Sequence, residues 1–323
     1  GIETQMRPTV LLTGGFGNLG GRVASALHST GNWNIRLASR RYLSPPPWAP
    51  DATVVNLDLL NPEQVDFACS GVTAIIHLAA LNDRQAVANP NMAEAISGAG
   101  TKLLTDAAVK HKVDKFIFMS TAHVYGAPLQ GTLTEESLTA NSHPYATSHL
   151  SGERAVAQRH QMGDFAGIIL RCANGFGVPM DPEVDIWHVL VNDLCNQVAS
   201  SGSMTLRSSG LQERNFIPIA DICSAILHFL HLESHLLGDG LFNLGCPKSM
   251  TVLEMAHVIA ERSRTVVQID PPINRPLQTE PEAPMPLDYR IDKLVSTGFS
   301  CVNNINYEID QLLKMCNNQG HMQ

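Results

Sequence analysis

The stretch TGGFGNLGG, Thr13 to Gly21, decides the fold of this chain. It follows the apolar run TVLL, which is typical of a buried strand, and it leads into NLGGRVASALHSTG, which has the spacing of a helix. Glycines spaced G-x-x-G-x-x-G at such a turn permit positive φ and let the backbone approach a pyrophosphate at the helix N-terminus. The pattern therefore predicts a dinucleotide site rather than a plain glycine-rich turn. Its candidate contacts are Gly14, Gly17, Asn18 and Leu19.

Strand-like runs alternate with helical segments through the first half of the chain. The further strands are predicted in NIRLASRR, TVVNLDLL, GVTAIIHLAA, KFIFMSTAHVYG and FAGIILRCANGFG, and the main helices in MAEAISGAGTKLLTDAAVKHKV and from Pro144 to His160. Strands separated by helices predict an α/β fold, a Rossmann-type doubly wound parallel sheet. We expect residues 6–178 to form the NAD(P)-binding domain. Residues 179–323 should form a smaller substrate-binding lobe, with segments near 211–245 returning to the first domain.

Composition excludes several classes of partner. The 323 residues carry a net charge of -8 without a block of lysines or arginines, so nucleic acid and anionic membranes are poor candidates. No apolar run is long enough to span a membrane, and the start resembles no signal peptide. Seven cysteines without a CxxC pair are expected to be free thiols in a reducing cytoplasm. The histidines offer no metal-ligand spacing, so no metal is expected, and residues 1–5 could be an expression remnant.

The end of the second strand indicates which dinucleotide binds. An acidic residue there would favour NAD, whereas this chain has Ser39, Arg40 and Arg41. A hydroxyl and a guanidinium suit the 2′-phosphate of NADP, although two solvated surface arginines are the alternative and NAD stays possible. Asp58 is placed to accept a hydrogen bond from the adenine amino group. Capping of the following turn near Asn61 is an equally simple role for it.

These motifs, taken in order, resemble the extended short-chain dehydrogenase/reductases of the NAD-dependent epimerase/dehydratase family, which act on nucleotide sugars. The resemblance runs from Thr9 to about Leu313. It is carried by TGGFGNLG, the LDLL around Asp58, HLAA, MSTAHVYG, HPYATSHLSGE, LRCANGFG, RNFIPIADIC and GLFNLGCPKSMTVLEMA.

The resemblance implies roles for particular residues. Tyr145 would donate or accept the proton, and Thr121 would hydrogen-bond the reacting oxygen. Asn174 and Arg214 would contact the nucleotide diphosphate of the substrate. Leu59, Leu78 and Ala79 would lie beside the cofactor, and the protein would be a homodimer.

One departure from the family bears on the chemistry: His149 stands where the family has lysine, four residues after Tyr145. Lysine favours the tyrosinate and bonds the nicotinamide ribose. Histidine can still donate one N–H to that ribose, but at neutral pH we expect His149 to be mostly uncharged and Tyr145 to stay a phenol. This favours ketone reduction over alcohol oxidation. The alternative is a catalytically impaired cofactor-binding protein that serves as a sensor or scaffold.

A second departure concerns one branch of the family. Its 4,6-dehydratases have an Asp-Glu pair after the Ser or Thr of the VYG motif, where this chain has Ala122 and His123. We therefore expect an NAD(P)-dependent reductase or epimerase of nucleotide sugars without 4,6-dehydratase activity.

Overall fold

A computed structural model describes residues 6–41, 43–278, 280–302 and 304–320, so the suggested expression remnant, residues 1–5, lies outside the described residues. Its centre is a seven-stranded sheet in which all neighbouring strands are parallel. The strands of this sheet are β1 (Thr9–Thr13), β2 (Asn34–Ser39), β3 (Thr53–Asn56), β4 (Ala74–His77), β5 (Lys115–Thr121), β7 (Ala166–Cys172) and β12 (Leu241–Leu244).

The order in which strands are added to the sheet reverses beside β1. Its order is β12-β7-β5-β4-β1-β2-β3, so β1 lies between β2 and β4. Val10 is in register with Ala74 of β4 and with Ile35 of β2. The loops leaving β1 and β4 therefore diverge to opposite faces at the carboxyl edge, which creates a crevice where open α/β sheets bind ligands. The predicted doubly wound Rossmann-type sheet is confirmed.

Helices cover both faces of the sheet. They are α1 (Asn18–Thr30), α2 (Pro62–Cys69), α3 (Asp83–Ala88), α4 (Pro90–Ala93), α5 (Thr101–Lys110), α6 (Pro144–Gln161), α7 (Leu190–Ser201), α8 (Ile219–His231), α9 (Val252–Val266), α10 (Asp292–Ser296) and α11 (Ile305–Gly320). A π-helical segment, Glu94–Gly100, joins α4 to α5. None of the helices in the described part of the chain is long and apolar enough to cross a membrane.

The short strands lie outside the large sheet. They pair two by two: β6 (Gly131–Leu133) with β15 (Leu287–Tyr289), β8 (Asn174–Phe176) with β11 (Phe216–Pro218), β9 (Met204–Thr205) with β14 (Ile273–Asn274), and β10 (Glu213–Arg214) with β13 (Met250–Thr251). They connect the C-terminal segments to one another and to the loops that leave the sheet.

Three apolar clusters form the core. Two of them lie on the opposite faces of the sheet, one around Leu12 and Ile117 and the other around Leu11 and Phe116, because alternate strand residues point to opposite sides. The third cluster packs α7, α9 and α11 together around Leu194, Ile259 and Leu312. β12 comes from the C-terminal half of the chain and pairs with β7 at the sheet edge. The division into a cofactor-binding domain, residues 6–178, and a substrate-binding lobe, residues 179–323, stays a proposal.

Several local elements differ from the sequence expectations. β3 ends at Asn56, so the LDLL residues form a turn rather than strand. Helices α2, α3 and α9 were not predicted. α2 begins where Asn61 accepts the backbone N–H groups of Glu63 and Gln64 and Pro62 occupies the first turn, a capping pattern visible in the sequence. α9 begins with a capping box between Thr251 and Glu254.

Candidate active site

The glycine-rich turn leaves the start of α1 open to an anion. Gly14 has φ of +68°, and Gly17 is the N-cap of α1 without any side-chain cap or acidic residue in the first turn. A Cβ on Gly20 would lie 1.8 Å from the carbonyl oxygen of Gly14, so only glycine permits this approach of helix to turn. The unpaired N–H groups and the helix dipole therefore suit a pyrophosphate.

A cavity of about 540 Å³ extends from this turn over the ends of β1 to β4. It collects residues that are far apart in sequence. Eight predicted cofactor contacts line it: Gly14, Gly17, Ser39, Arg40, Asp58, Leu59, Leu78 and Ala79. A glycine cradle followed by apolar walls and polar groups at the far end fits a dinucleotide such as NAD or NADP.

The residues predicted to select the cofactor lie at the far end of this cavity. The hydroxyl of Ser39 accepts the backbone N–H of Arg41 at 3.0 Å, which fixes the turn after β2. Arg40 is exposed to solvent at the cavity wall. Asp58 accepts the backbone N–H of Leu60 at 3.0 Å, so the turn-capping role considered for it is present in the structure. Its position on the wall still permits contact with an adenine.

A buried histidine, which the sequence did not single out, holds β1 and β4 together. The Thr13 hydroxyl oxygen accepts the backbone N–H groups of Leu78 and Ala79 at 3.0 and 3.1 Å. Its hydrogen therefore points to Nδ1 of His77, 2.6 Å away, while Nε2 of His77 lies 2.9 Å from the Thr101 hydroxyl. Burial lowers the pKa of His77 to about 3, so the ring is neutral and fixes the strand ends beside the cofactor cavity.

A second cavity, of about 610 Å³, lies between the sheet and the C-terminal segments. Six predicted residues line it: Asn18, Leu19, Thr121, Tyr145, Asn174 and Arg214. Asn18 and Leu19 belong to the first turn of α1, so this cavity begins where the glycine-rich turn ends. Residues not predicted as contacts also line it, among them Asp83, His123, Cys172, His188 and Gln212.

Thr121 and Tyr145 both line this second cavity, close enough for the Thr121 hydroxyl to affect the ionisation of Tyr145. Thr121 is the last residue of β5, and Tyr145 lies in the first turn of α6. Burial raises the pKa of Tyr145 to about 12, although the hydrogen bond with Thr121 acts in the opposite direction. The Thr121 oxygen also accepts the backbone N–H of His123 at 3.1 Å. Its own hydrogen is thus available to the tyrosine oxygen, and Tyr145 is a phenol at neutral pH.

Two histidines hold the main chain of Tyr145. Nδ1 of His143 accepts the backbone N–H of Tyr145 at 3.1 Å and so caps α6. Nδ1 of His149 lies 2.7 Å from the carbonyl oxygen of Tyr145. Because a carbonyl oxygen only accepts, His149 must carry its hydrogen on Nδ1.

This bond bears on the expected role of His149. Its side chain is 3% exposed and lines neither cavity. Burial lowers its pKa, so the ring is neutral at neutral pH. A neutral imidazole has one N–H, which here is used on Tyr145, so Nε2 can only accept a hydrogen bond. In this arrangement the Nδ1 hydrogen is used by the helix backbone, and donation from His149 to the cofactor ribose stays a prediction.

Polar groups without partners face the second cavity. The side-chain oxygens of Asn18 and Asn174 are buried, and neither accepts a hydrogen bond within the described part of the chain. Desolvation lowers the pKa of Arg214, and no acidic side chain among the described residues pairs with it. Buried polar groups are normally satisfied, so the two amide oxygens suit a ligand with hydroxyl or N–H donors, and Arg214 suits an anionic group.

His123 lies near Tyr145. From the sequence it was noted only because it stands where the 4,6-dehydratases have a carboxylate. Its ring centroid lies 6.3 Å from that of Tyr145, and it lines the same cavity. Desolvation and the charge of Arg214 lower the pKa of His123. The only sequence signal was its position two residues after Thr121.

The fold is of the Rossmann, dinucleotide-binding type, and a second cavity adjoins its glycine-rich turn. A sequence model described as the NAD dependent epimerase/dehydratase family matches residues 10–245, and the chain belongs to that family. Family members are nucleotide-sugar enzymes that use NAD or NADP. Nothing in the comparisons supports the alternative of an impaired cofactor-binding protein.

Known relatives carry out different reactions. The chain is 27% identical to the UDP-glucose 4-epimerase of Bacillus subtilis (strain 168), over 76% of this chain and 79% of that protein. It is also 27% identical to a dTDP-glucose 4,6-dehydratase of Streptomyces niveus, over 62% of this chain but 58% of the relative. The chain thus spans little more than half the length of that dehydratase.

A solved structure shows the same fold along nearly the whole chain. It is the UDP-N-acetylglucosamine 4-epimerase from Methanobrevibacter ruminantium M1 in complex with UDP-N-acetylmuramic acid, with a TM-score of 0.80. The match covers 97% of this chain and 99% of that chain at 22% identity.

Proposed function

We propose that this protein is an NADP(H)-dependent enzyme that reduces or epimerises a sugar carried on a nucleotide diphosphate. The observation that carries the proposal is the Thr121–Tyr145 pair in a cavity that also holds Arg214 and Asn174. An acid/base pair and an anion-binding pair in one cavity match a substrate that has a reactive sugar at one end and phosphates at the other.

Proton transfer is assigned to Tyr145. A bound nicotinamide cofactor supplies the hydride chemistry. Because burial keeps Tyr145 protonated, its phenol can donate to a keto oxygen without prior loss of a proton. Thr121 donates to the tyrosine oxygen and so stabilises the charge that develops there. His149 orients the first turn of α6 through the carbonyl of Tyr145 and adds no positive charge.

Substrate binding is assigned to Arg214 and Asn174. The guanidinium of Arg214 is partly buried and unpaired within the described chain. A diphosphate would supply the hydrogen bonds that the guanidinium loses to water on burial. Asn174 has an unsatisfied buried oxygen that can accept a hydroxyl or N–H of the substrate. Asn174 lies in β8 and Arg214 in β10, and both line the cavity.

The NADP preference is assigned to Ser39 and Arg40. Both line the far end of the cofactor cavity, where the 2′-phosphate of NADP needs a donor and a cation, while Asp58 offers an acceptor for adenine. NAD remains the alternative cofactor. By the family resemblance we also propose a homodimer, and from the unpatterned cysteines we propose a location in the cytoplasm. Light scattering of the purified protein tests the dimer.

The function is tested with a panel of UDP- and dTDP-linked sugars and 4-keto sugars. Each is mixed with the protein and NADPH or NADH, and both the loss of reduced cofactor and the product stereochemistry are followed. We expect turnover with at least one nucleotide sugar and none with the free sugar. Tyr145→Phe is the matched control. Cofactor binding without turnover on any nucleotide sugar contradicts the proposal.

A further inference from the structure

Two cysteines that are distant in sequence touch at the edge of the large sheet. Cys246 follows β12, and Cys301 lies in the segment between α10 and α11. Their sulfur atoms are 3.0 Å apart. Cys246 is buried, whereas Cys301 is partly exposed beside Val302, which is 76% exposed. Small reagents in solution can therefore reach one member of the pair.

The backbone on both sides of this contact is fixed by hydrogen bonds. Asn215 binds Cys246 twice, through the backbone N–H and the backbone carbonyl, each at 2.8 Å. Beside Cys301, the backbone N–H of Val302 donates to the carboxylate of Asp221 at 2.9 Å. Both cysteines therefore approach each other from anchored backbone.

A metal site is the main alternative at this place, because the Asp221 carboxylate lies within 4.8 Å of both sulfurs. Two thiolates bound to one zinc at about 2.3 Å in tetrahedral geometry are roughly 3.7 Å apart. The observed 3.0 Å is shorter than that separation, although it is longer than the bonded distance of about 2.05 Å in a disulfide. The group offers one carboxylate and two thiols, which is one ligand fewer than a structural zinc site takes, so we argue for the sulfur–sulfur bond and test the metal directly.

We propose that Cys246 and Cys301 form a reversible disulfide, made by exchange with a small-molecule disulfide such as oxidised glutathione. The Cys301 thiolate attacks one sulfur of the reagent, forming a mixed disulfide and releasing one glutathione thiolate. Cys246 then loses its proton to water and attacks the Cys301 sulfur, which releases the second glutathione. Two protein thiols are oxidised, and one glutathione disulfide is reduced to two thiols.

The bond joins the edge strand of the sheet to the segment that leads into α11. It closes a loop that contains α9, β15 and α10, so it restricts the unfolded chain without moving the folded one far. α11 is also tied to α1 through the ion pair of Glu308 with Arg22. The oxidised protein should therefore have a higher Tm than the reduced protein.

The experiment uses the whole chain in buffers with different ratios of oxidised to reduced glutathione. We expect a peptide map without reductant to show Cys246 linked to Cys301, and a reductant to lower Tm. Cys301→Ser should abolish both effects, whereas Cys69→Ser should retain the linked peptide and the Tm difference. Cys69 is a matched control because it is the last residue of α2 and is buried in a different cluster. Reading both mass and Tm keeps the test independent of enzymatic activity.

Three outcomes overturn the proposal. The first is a stable glutathione adduct on Cys301 that never resolves to the protein disulfide. The second is linkage of Cys246 to Cys172, which lies close enough to affect its ionisation. The third is a bound metal that a chelator removes and that protects both thiols from alkylation.

Discussion

Nδ1 of His149 donates a hydrogen bond to the carbonyl oxygen of Tyr145, 2.7 Å away and one helical turn earlier. The same residue stands where family members that this chain resembles have a lysine. Lysine would place a positive charge beside the tyrosine, whereas the buried, neutral imidazole places none. The high pKa of Tyr145 follows from burial without a neighbouring cation.

Replacing the imidazole of His149 by the ammonium of a lysine should raise the rate of alcohol oxidation relative to that of ketone reduction. In His149→Lys, the new charge should lower the pKa of Tyr145, by about 1–3 units for a cation within contact distance. Alcohol oxidation near neutral pH should then speed up by roughly tenfold per unit, and its pH profile should move to lower pH, while ketone reduction gains little.

The control is His149→Asn, which keeps a donor for the Tyr145 carbonyl and adds no charge. Its pH profile should match the parent. Rates in both directions that are unchanged in His149→Lys would mean that His149 does not control the ionisation of Tyr145.

Removing the phenol should separate catalysis from cofactor binding. Tyr145→Phe should lower kcat in both directions by about 10²–10⁴-fold, the usual contribution of a positioned acid/base group. Affinity for NADPH should change little, since the glycine-rich turn and Arg40 lie in the other cavity. Tyr307→Phe, on the exposed part of α11, serves as the matched control in kinetic and cofactor titrations. Full activity in Tyr145→Phe would exclude the tyrosine as the acid.

The cofactor preference should depend on one guanidinium. Arg40→Ala should weaken NADPH binding by about 10–100-fold, the value of one charge-assisted contact to the 2′-phosphate, and leave NADH nearly unchanged. Arg84→Ala, another exposed arginine, should alter neither cofactor. Calorimetric titration of both cofactors measures the ratio. An equal ratio in the parent and Arg40→Ala argues that Arg40 is only a surface charge.

The chain should not form a 4-keto-6-deoxy sugar from a nucleotide hexose. Elimination of water needs an acid and a base at further ring carbons, and Ala122 and His123 stand where dehydratases resembling this chain have carboxylates. A neutral His123 next to Arg214 is a weak acid and a weak base there. Mass spectrometry of products from dTDP-glucose and UDP-glucose checks this, and a dehydrated product would contradict it.

Stability should fall in mild acid because neutral histidines are buried. The pKa of His77 is lowered from 6.5 to about 3, so between these values the unfolded chain binds a proton that the folded chain does not. The free energy of unfolding should decrease by about 1.4 kcal/mol per pH unit for this one group between roughly pH 6 and pH 4. His77→Asn keeps an acceptor for the Thr13 hydroxyl and cannot titrate. Urea unfolding at several pH values measures the free energy of unfolding. Its slope against pH should correspond to one proton fewer in that variant than in the parent.

Local patterns in the sequence were sufficient to predict the strands of the sheet and the glycine-rich turn after β1. Strands are specified by short apolar runs, and the turn after Thr13 needs glycine whatever the rest of the chain does, because its φ and its close approach to α1 are local constraints. The family and the Rossmann-type fold followed from these motifs in order. Helix α2 was not predicted, although Asn61 and Pro62 mark its start. The periodic spacing of apolar residues is a weak signal in a helix of eight residues.

The sequence by itself determined which residue types stand at the strand ends, namely the glycines, Ser39, Arg40 and Thr121, and which follow on helix α6, namely Tyr145 and His149. Only the tertiary structure decided what those side chains contact. It buried His149, which keeps the ring neutral, and brought the sulfurs of Cys246 and Cys301 to 3.0 Å across 55 residues of chain. The reason is physical: a backbone turn is fixed by neighbours in sequence, whereas burial, tautomer and long-range contact depend on which surfaces pack together.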